Sequence, residues 1–132
     1  MITEDYVSFE TAKLLKEKGF DDFTCHSYFY KNGDIEEETR YEGDFGRPTL
    51  QMAMKWLREV HNLCIFLIPS YVDENFHNGV ALYPICNGEW EWCASKNDGS
   101  MATFGYNVNN KYCETYEKAC EAVIKYCLEN LI

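Results

Sequence analysis

Apolar residues along positions 49–62 recur at the spacing of one helical face. Leu50, Ala53, Leu57 and Val60 fall three or four residues apart, with Met54, Trp56 and His61 widening the stripe and Gln51, Lys55, Arg58 and Glu59 on the opposite side. This predicts an amphipathic helix with one face in the core. Thr49 precedes the run and is placed to cap it, its hydroxyl accepting from an early backbone N–H, and Asn62 ends it in the left-handed conformation. Cys64-Ile65-Phe66-Leu67-Ile68 then form a continuous apolar run, the pattern of a strand buried on both faces, closed by Pro69.

The same periodicity marks two more helices. Ser8 precedes a run in which Phe9, Ala12, Leu14 and Leu15 share a face and Gly19 stands at the expected end, which predicts a helix over 9–18. Near the C-terminus, with Thr115 as N-cap, Tyr116, Cys120, Val123, Cys127 and Leu131 line one face, while Glu117, Lys118, Glu121, Lys125 and Glu129 stay outside.

Two Asn-Gly pairs, Asn32-Gly33 and Asn87-Gly88, are the strongest hairpin signals in the chain. A two-residue turn at the first pairs Tyr30 with Ile35 and Tyr28 with Glu37. A two-residue turn at the second joins 80–86 to 89–95, pairs Ile85 with Trp90 and Tyr83 with Trp92, and turns both tryptophans inward over the central helix. Pro84 then occupies a ladder position opposite Glu91 with no N–H to give, which predicts an edge strand or a bulge there. Residues 101–106 make one more strand. The order α-ββ-α-β-ββ(β)-α predicts a single α+β domain over residues 1–132, in which an antiparallel sheet of about 4–6 strands packs against three helices in two layers.

Composition limits the functional classes. A domain of 132 residues can bury roughly two-thirds of its unfolded surface, and 46% apolar residues exclude a wholly disordered chain. No window approaches the roughly 18 uninterrupted apolar residues of a membrane span. The acidic start MITEDYVSFE lacks the layout of a secretory signal, and seven cysteines at scattered spacings make a poor disulfide framework, so the expected setting is cytoplasmic. Cys113, Cys120 and Cys127 recur every seven residues, two helical turns, and are expected in the core. The formal charge of −10, from 22 acids against 12 Lys and Arg, repels phosphate and anionic lipid and argues against direct nucleic-acid or membrane binding.

Segments 49–62 (TLQMAMKWLREVHN), 7–20 (VSFETAKLLKEKGF) and 116–132 (YEKACEAVIKYCLENLI) resemble the shared segments of a family of short uncharacterised proteins from gut bacteria, found in prophage or mobile-element settings. The resemblance covers about a third of the chain. It implies a bacterial or phage cytoplasmic setting and brings no activity, cofactor or catalytic residue with it. Individual function then falls to the stretches 25–47 and 71–113, which depart from those segments.

Candidate chemistry is sparse. Asp73, Glu74 and His77 offer metal ligands, with Glu74 and His77 at i and i+3, but carboxylate-bridged sites need a second Glu-x-x-His and none exists. Cys25 and His26 are adjacent, so on a strand they point apart; His61 is the remaining partner in space for a Cys25 thiolate. Glu36, Glu37, Glu38, Glu42 and Asp44 crowd the returning arm of the first hairpin beside Tyr28 and Tyr30. The expected function is therefore a non-enzymatic accessory factor, needing no cofactor, that meets a protein with a basic or mixed surface through that acidic, aromatic arm. A homodimer through a hairpin edge stays open. The alternative is a small ligand- or metal-binding domain or enzyme using the Cys, His, Asp and Glu side chains named above, and a third reading is an acidic mimic of nucleic acid.

Overall fold

The computed structural model describes residues 2–21, 25–71, 76–77, 80–81, 86–96, 103–105 and 115–132. Helices α1 (Phe9–Glu17), α2 (Leu50–His61) and α3 (Tyr116–Asn130) each start at a hydroxyl residue. Ser8 Oγ accepts from the Thr11 amide at 3.2 Å, Thr49 Oγ1 from Met52 at 3.1 Å and Thr115 Oγ1 from Lys118 at 3.1 Å. Each bond satisfies a backbone donor that the first turn leaves without an intrahelical partner. Asn62 ends α2 at φ 56°, the left-handed cap expected of it.

α2 buries Leu50, Ala53, Met54 and Leu57, whereas Val60, expected on that face, is 61% exposed. α3 buries a wider stripe than the spacing of its cysteines suggests: Ala119, Cys120, Val123, Ile124, Cys127 and Leu128. It packs against both other helices and against two strands of one sheet, so more of its circumference is covered. One contiguous cluster of buried side chains joins Leu15 of α1, Leu57 of α2, Val123 and Leu128 of α3, and Trp92 and Ala94 of the sheet.

The strands form small antiparallel sheets. β1 (Ser27–Phe29) lies between β2 (Ile35–Glu37) and β3 (Phe45–Gly46). A second sheet has the order β4 (Leu63–Tyr71), β7 (Cys86–Lys96), β8 (Thr103–Gly105), and β5 (Phe76–His77) pairs with β6 (Val80–Ala81). The chain is therefore α+β, with three helices among the described residues and its described strands divided among small sheets.

Three expectations are corrected. The first hairpin is slipped by one residue: Phe29, not Tyr30, faces Ile35, and Tyr28 faces Glu36 rather than Glu37. Its turn contains three residues, because the Tyr30 amide donates to Asp34 O at 2.8 Å and the Gly33 amide, at φ 94°, donates to Tyr30 O at 2.9 Å. A left-handed glycine in a three-residue loop costs no steric clash, so the Asn-Gly pair serves this turn as well as the shorter one.

Asn87-Gly88 does not close a hairpin. It lies inside β7, where residues 87–89 oppose the single residue between Pro69 and Tyr71 and make an irregular bulge. β7 instead pairs with β4 from Leu63–Lys96 to Pro69–Trp90, and with β8 at Trp92–Gly105 to Ala94–Thr103. The pairings expected of Tyr83 and Ile85, and Pro84 itself, lie outside the described residues. Trp90 and Trp92 do turn inward, but over α3 rather than α2: their rings meet Tyr116 at 5.2 Å and Tyr126 at 4.8 Å. The long-range ladder prevails because it buries Trp92 and Ala94 on α3, which a local hairpin does not provide.

β4 is not buried on both faces. Ile65 and Leu67 pack on the core while Phe66 between them is 55% exposed, the alternation of a strand covered on one side. Among the described residues no helix is long and apolar enough to cross a membrane.

Candidate functional site

The acidic arm is built on β1, whose three residues are all buried. Phe29 meets Phe9 of α1 edge to face at 5.4 Å, and Phe9 also meets Phe45 of β3 at 5.6 Å, so the small sheet is held on α1 by an aromatic cluster. The turn at its tip leans on the same ring: a Cβ at Gly33 would approach Phe9 to 3.1 Å. Asn32 braces the tip, accepting from the Asp34 amide at 3.0 Å and donating to Asp34 Oδ2 at 3.1 Å.

The slipped register decides which carboxylates face outward. Side chains directly opposite in an antiparallel pair share a face, so Glu36 joins Tyr28, and Glu37 joins Ser27. Glu36 is half-buried, and its hydrogen bond with the Tyr30 hydroxyl, in the field of the carboxylate, pushes that phenol up to about 12. Glu37 is exposed and lies 3.6 Å from Arg47 Nη1. Arg47 also donates to Ser27 Oγ at 3.0 Å and stacks 4.0 Å from the Tyr6 ring, which ties the N-terminal segment to the sheet. Glu38 is exposed at φ 69°, and its amide donates to His26 O at 2.9 Å. Glu42 is exposed on the following turn.

Two residues expected on the contact surface are internal. Tyr28 is 6% exposed and its hydroxyl donates to Cys25 O at 2.6 Å. Asp44 is 3% exposed; its Oδ2 accepts from the Tyr41 amide at 3.0 Å, and its carbonyl accepts from Lys16 Nζ at 2.8 Å. Both side chains stabilise the loop and present little surface to a partner. In their place Ile35 and Tyr41, at 53% and 55% exposure, stand out of the arm. Neither carried a signal, since an isoleucine on a strand and a tyrosine in a turn read as packing residues. Beside Tyr30 an open depression of about 520 Å³ is lined by Lys31, Asn32, Asp34 and Asp44.

The alternative chemistry finds less support in the geometry. Cys25 is buried in the core cluster and His26 is exposed. His61 is half-buried at the end of α2 with its ring 4.5 Å from Trp56, which itself meets Phe20 at 5.4 Å. Asp73 and Glu74 lie outside the described residues, and of His77 only the backbone pairing with Val80 is described. Among the described residues no group of three His, Cys, Asp or Glu side chains is placed to hold one ion.

A further polar cluster joins elements far apart in sequence. Glu121 of α3 accepts on one oxygen from the Ser8 amide at 3.2 Å, from Ser8 Oγ through a very short bond and from Thr11 Oγ1 at 2.5 Å. The carboxylate lies at the positive end of α1, where helix dipole and unpaired amides favour negative charge. Its role is to dock α1 on α3. The periodicity of α3 placed Glu121 outside, and a partner 113 residues away leaves no local trace.

Comparison of the chain with protein-family models, with curated proteins and with solved structures finds no match.

Proposed function

We propose that this chain is a non-enzymatic protein-binding factor that meets a partner of basic or mixed surface through the hairpin and turn spanning residues 30–42. The observation that supports this reading is the coincidence of exposed apolar side chains, Ile35 and Tyr41, with the exposed carboxylates of Asp34, Glu37, Glu38 and Glu42 on a sheet anchored to α1. Exposed apolar groups supply the area that desolvates on contact, and rim carboxylates steer a cationic partner and set its register. Tyr30, half-exposed and held by Glu36, extends the surface at low entropic cost. A bacterial or phage cytoplasmic setting, taken from the likeness of the three helices, belongs to the same proposal.

The test compares two variants with the parent chain as baits. Glu37→Lys with Glu38→Lys and Glu42→Lys reverses the rim, and Ile35→Asp with Tyr41→Ser removes the apolar part. Both leave the buried Tyr28 and Asp44 in place, so folding should be retained and is checked by thermal melting. Each variant should lose a partner captured by the parent, with affinity falling about tenfold or more and the rim variant losing most at low salt. Capture that survives both variants removes this surface from the function.

A further inference from the structure

The tip of the first hairpin carries chemistry that the partner surface does not use. Asn32 is exposed and is followed by Gly33. An asparagine before glycine is the pairing most open to attack on its own side chain, because the next residue has no side chain to obstruct the approach. In that reaction the Gly33 nitrogen bonds to Cγ of Asn32, the Cγ–Nδ2 bond breaks, and ammonia leaves with the proton of the attacking amide. The five-membered imide then takes up water at either carbonyl and opens to aspartate or, with the main chain rerouted through Cγ, to isoaspartate. The turn holds the reacting groups in other bonds. The Gly33 amide donates to Tyr30 O at 2.9 Å, so its proton is engaged. The Asn32 side chain is held at both ends by Asp34: Oδ1 accepts from the Asp34 amide at 3.0 Å and Nδ2 donates to Asp34 Oδ2 at 3.1 Å. Gly33, at φ 94°, lies so close to Phe9 that a Cβ there would come within 3.1 Å of the ring, which limits movement of the attacking nitrogen.

We infer that Asn32 is a deamidation site gated by Asp34, and that its conversion is a one-way release of the hairpin tip. An aspartate at position 32 loses the Nδ2 donor and sets its carboxylate against that of Asp34, where like charges at hydrogen-bond distance repel. Isoaspartate adds a methylene to the main chain inside a three-residue turn. The closing bonds of that turn, from the Tyr30 amide to Asp34 O at 2.8 Å and from the Gly33 amide to Tyr30 O, depend on its length. Either product removes the brace that slowed the reaction, and with ammonia lost no step restores the amide. The inference stands on the turn alone and does not depend on the partner proposed above.

Peptide mapping by mass spectrometry, with aspartate and isoaspartate resolved by chromatography, measures conversion at Asn32 separately from Asn87 in the full chain held in mildly alkaline buffer. The folded parent should convert at least about tenfold more slowly than the same chain unfolded in urea, since several hydrogen bonds have to open first. Asp34→Ala should close most of that gap and keep the melting temperature of the parent, because Asp34 is exposed. Asp34→Asn, which retains an acceptor for Nδ2, should stay slow, and this separates loss of the brace from general loosening of the hairpin. Asn32→Asp should speed hydrogen exchange of the Tyr30 and Gly33 amides and leave those of α3 unchanged. Conversion as fast in the folded parent as in urea overturns the inference. An Asp34→Ala rate equal to that of the parent, or an Asp34→Asn rate equal to that of Asp34→Ala, overturns the gating by Asp34. Unchanged exchange in Asn32→Asp overturns the release of the tip.

Discussion

Cys120 and Cys127 lie two turns apart on α3 with no accessible surface, and burial pushes their thiols up to about 11 and about 12; for Cys120 a hydrogen bond with Tyr116 partly opposes the shift. Each folded-state value is above that of an unfolded thiol, near 8.5. The stabilisation linked to these groups is therefore fully present below about pH 8.5 and is lost as pH rises through the folded values. Urea unfolding should show stability falling from about pH 9 toward 11, with a shallower fall in the Cys120→Ala, Cys127→Ala double variant. An unchanged slope would show that these thiols are not shielded. Residue type alone was a fair guide here, because a small apolar thiol on a helical stripe has few places to go but the core. It failed at Tyr28 and Asp44, whose partners, the Cys25 carbonyl and the Tyr41 amide, are set by how the chain turns between the strands.

Helices were legible as elements and the strand pairings were not. Ser8, Thr49, Thr115 and Asn62 all act as their positions predict, since a cap bonds within four residues of itself and needs nothing from the rest of the chain. Asn87-Gly88 is equally local in appearance, yet a turn competes with every strand the chain offers, and β4 won. The contact of α1 with α3 is likewise set by distant groups. Glu121 accepts three hydrogen bonds there, whereas the Lys125–Glu10 pair at 3.0 Å is open to solvent and screened, so Glu121 should dominate the docking. Glu121→Ala should lower unfolding free energy by about 1–3 kcal/mol, and Glu121→Gln by less because an acceptor remains. Equal and negligible losses in urea titrations would assign the docking to apolar contacts alone.

At the scale of the molecule the net charge of −10 acts against compactness, and few cations offset it. Raising sodium chloride from about 10 mM to 150 mM, which shortens the screening length from about 30 Å to 8 Å, should raise the melting temperature. A fall would mean that attractive pairs such as Glu37–Arg47 outweigh the general repulsion. The sequence by itself determined the three described helices, their caps, the burial of Cys120 and Cys127 and the acidic character of the 30–42 arm, while Cys113, expected on the same stripe, lies outside the described residues. Each of these follows from spacing within a few residues or from composition. Only the tertiary structure decided the one-residue slip that turns Glu36 toward Tyr30, the burial of Tyr28 and Asp44, the emergence of Ile35 and Tyr41, and the union of β4 with β7, which leaves the Phe66 side chain exposed. A strand shows the same side chains whichever neighbour it takes, and register, which sets the face each one occupies, depends on contacts made across the whole chain.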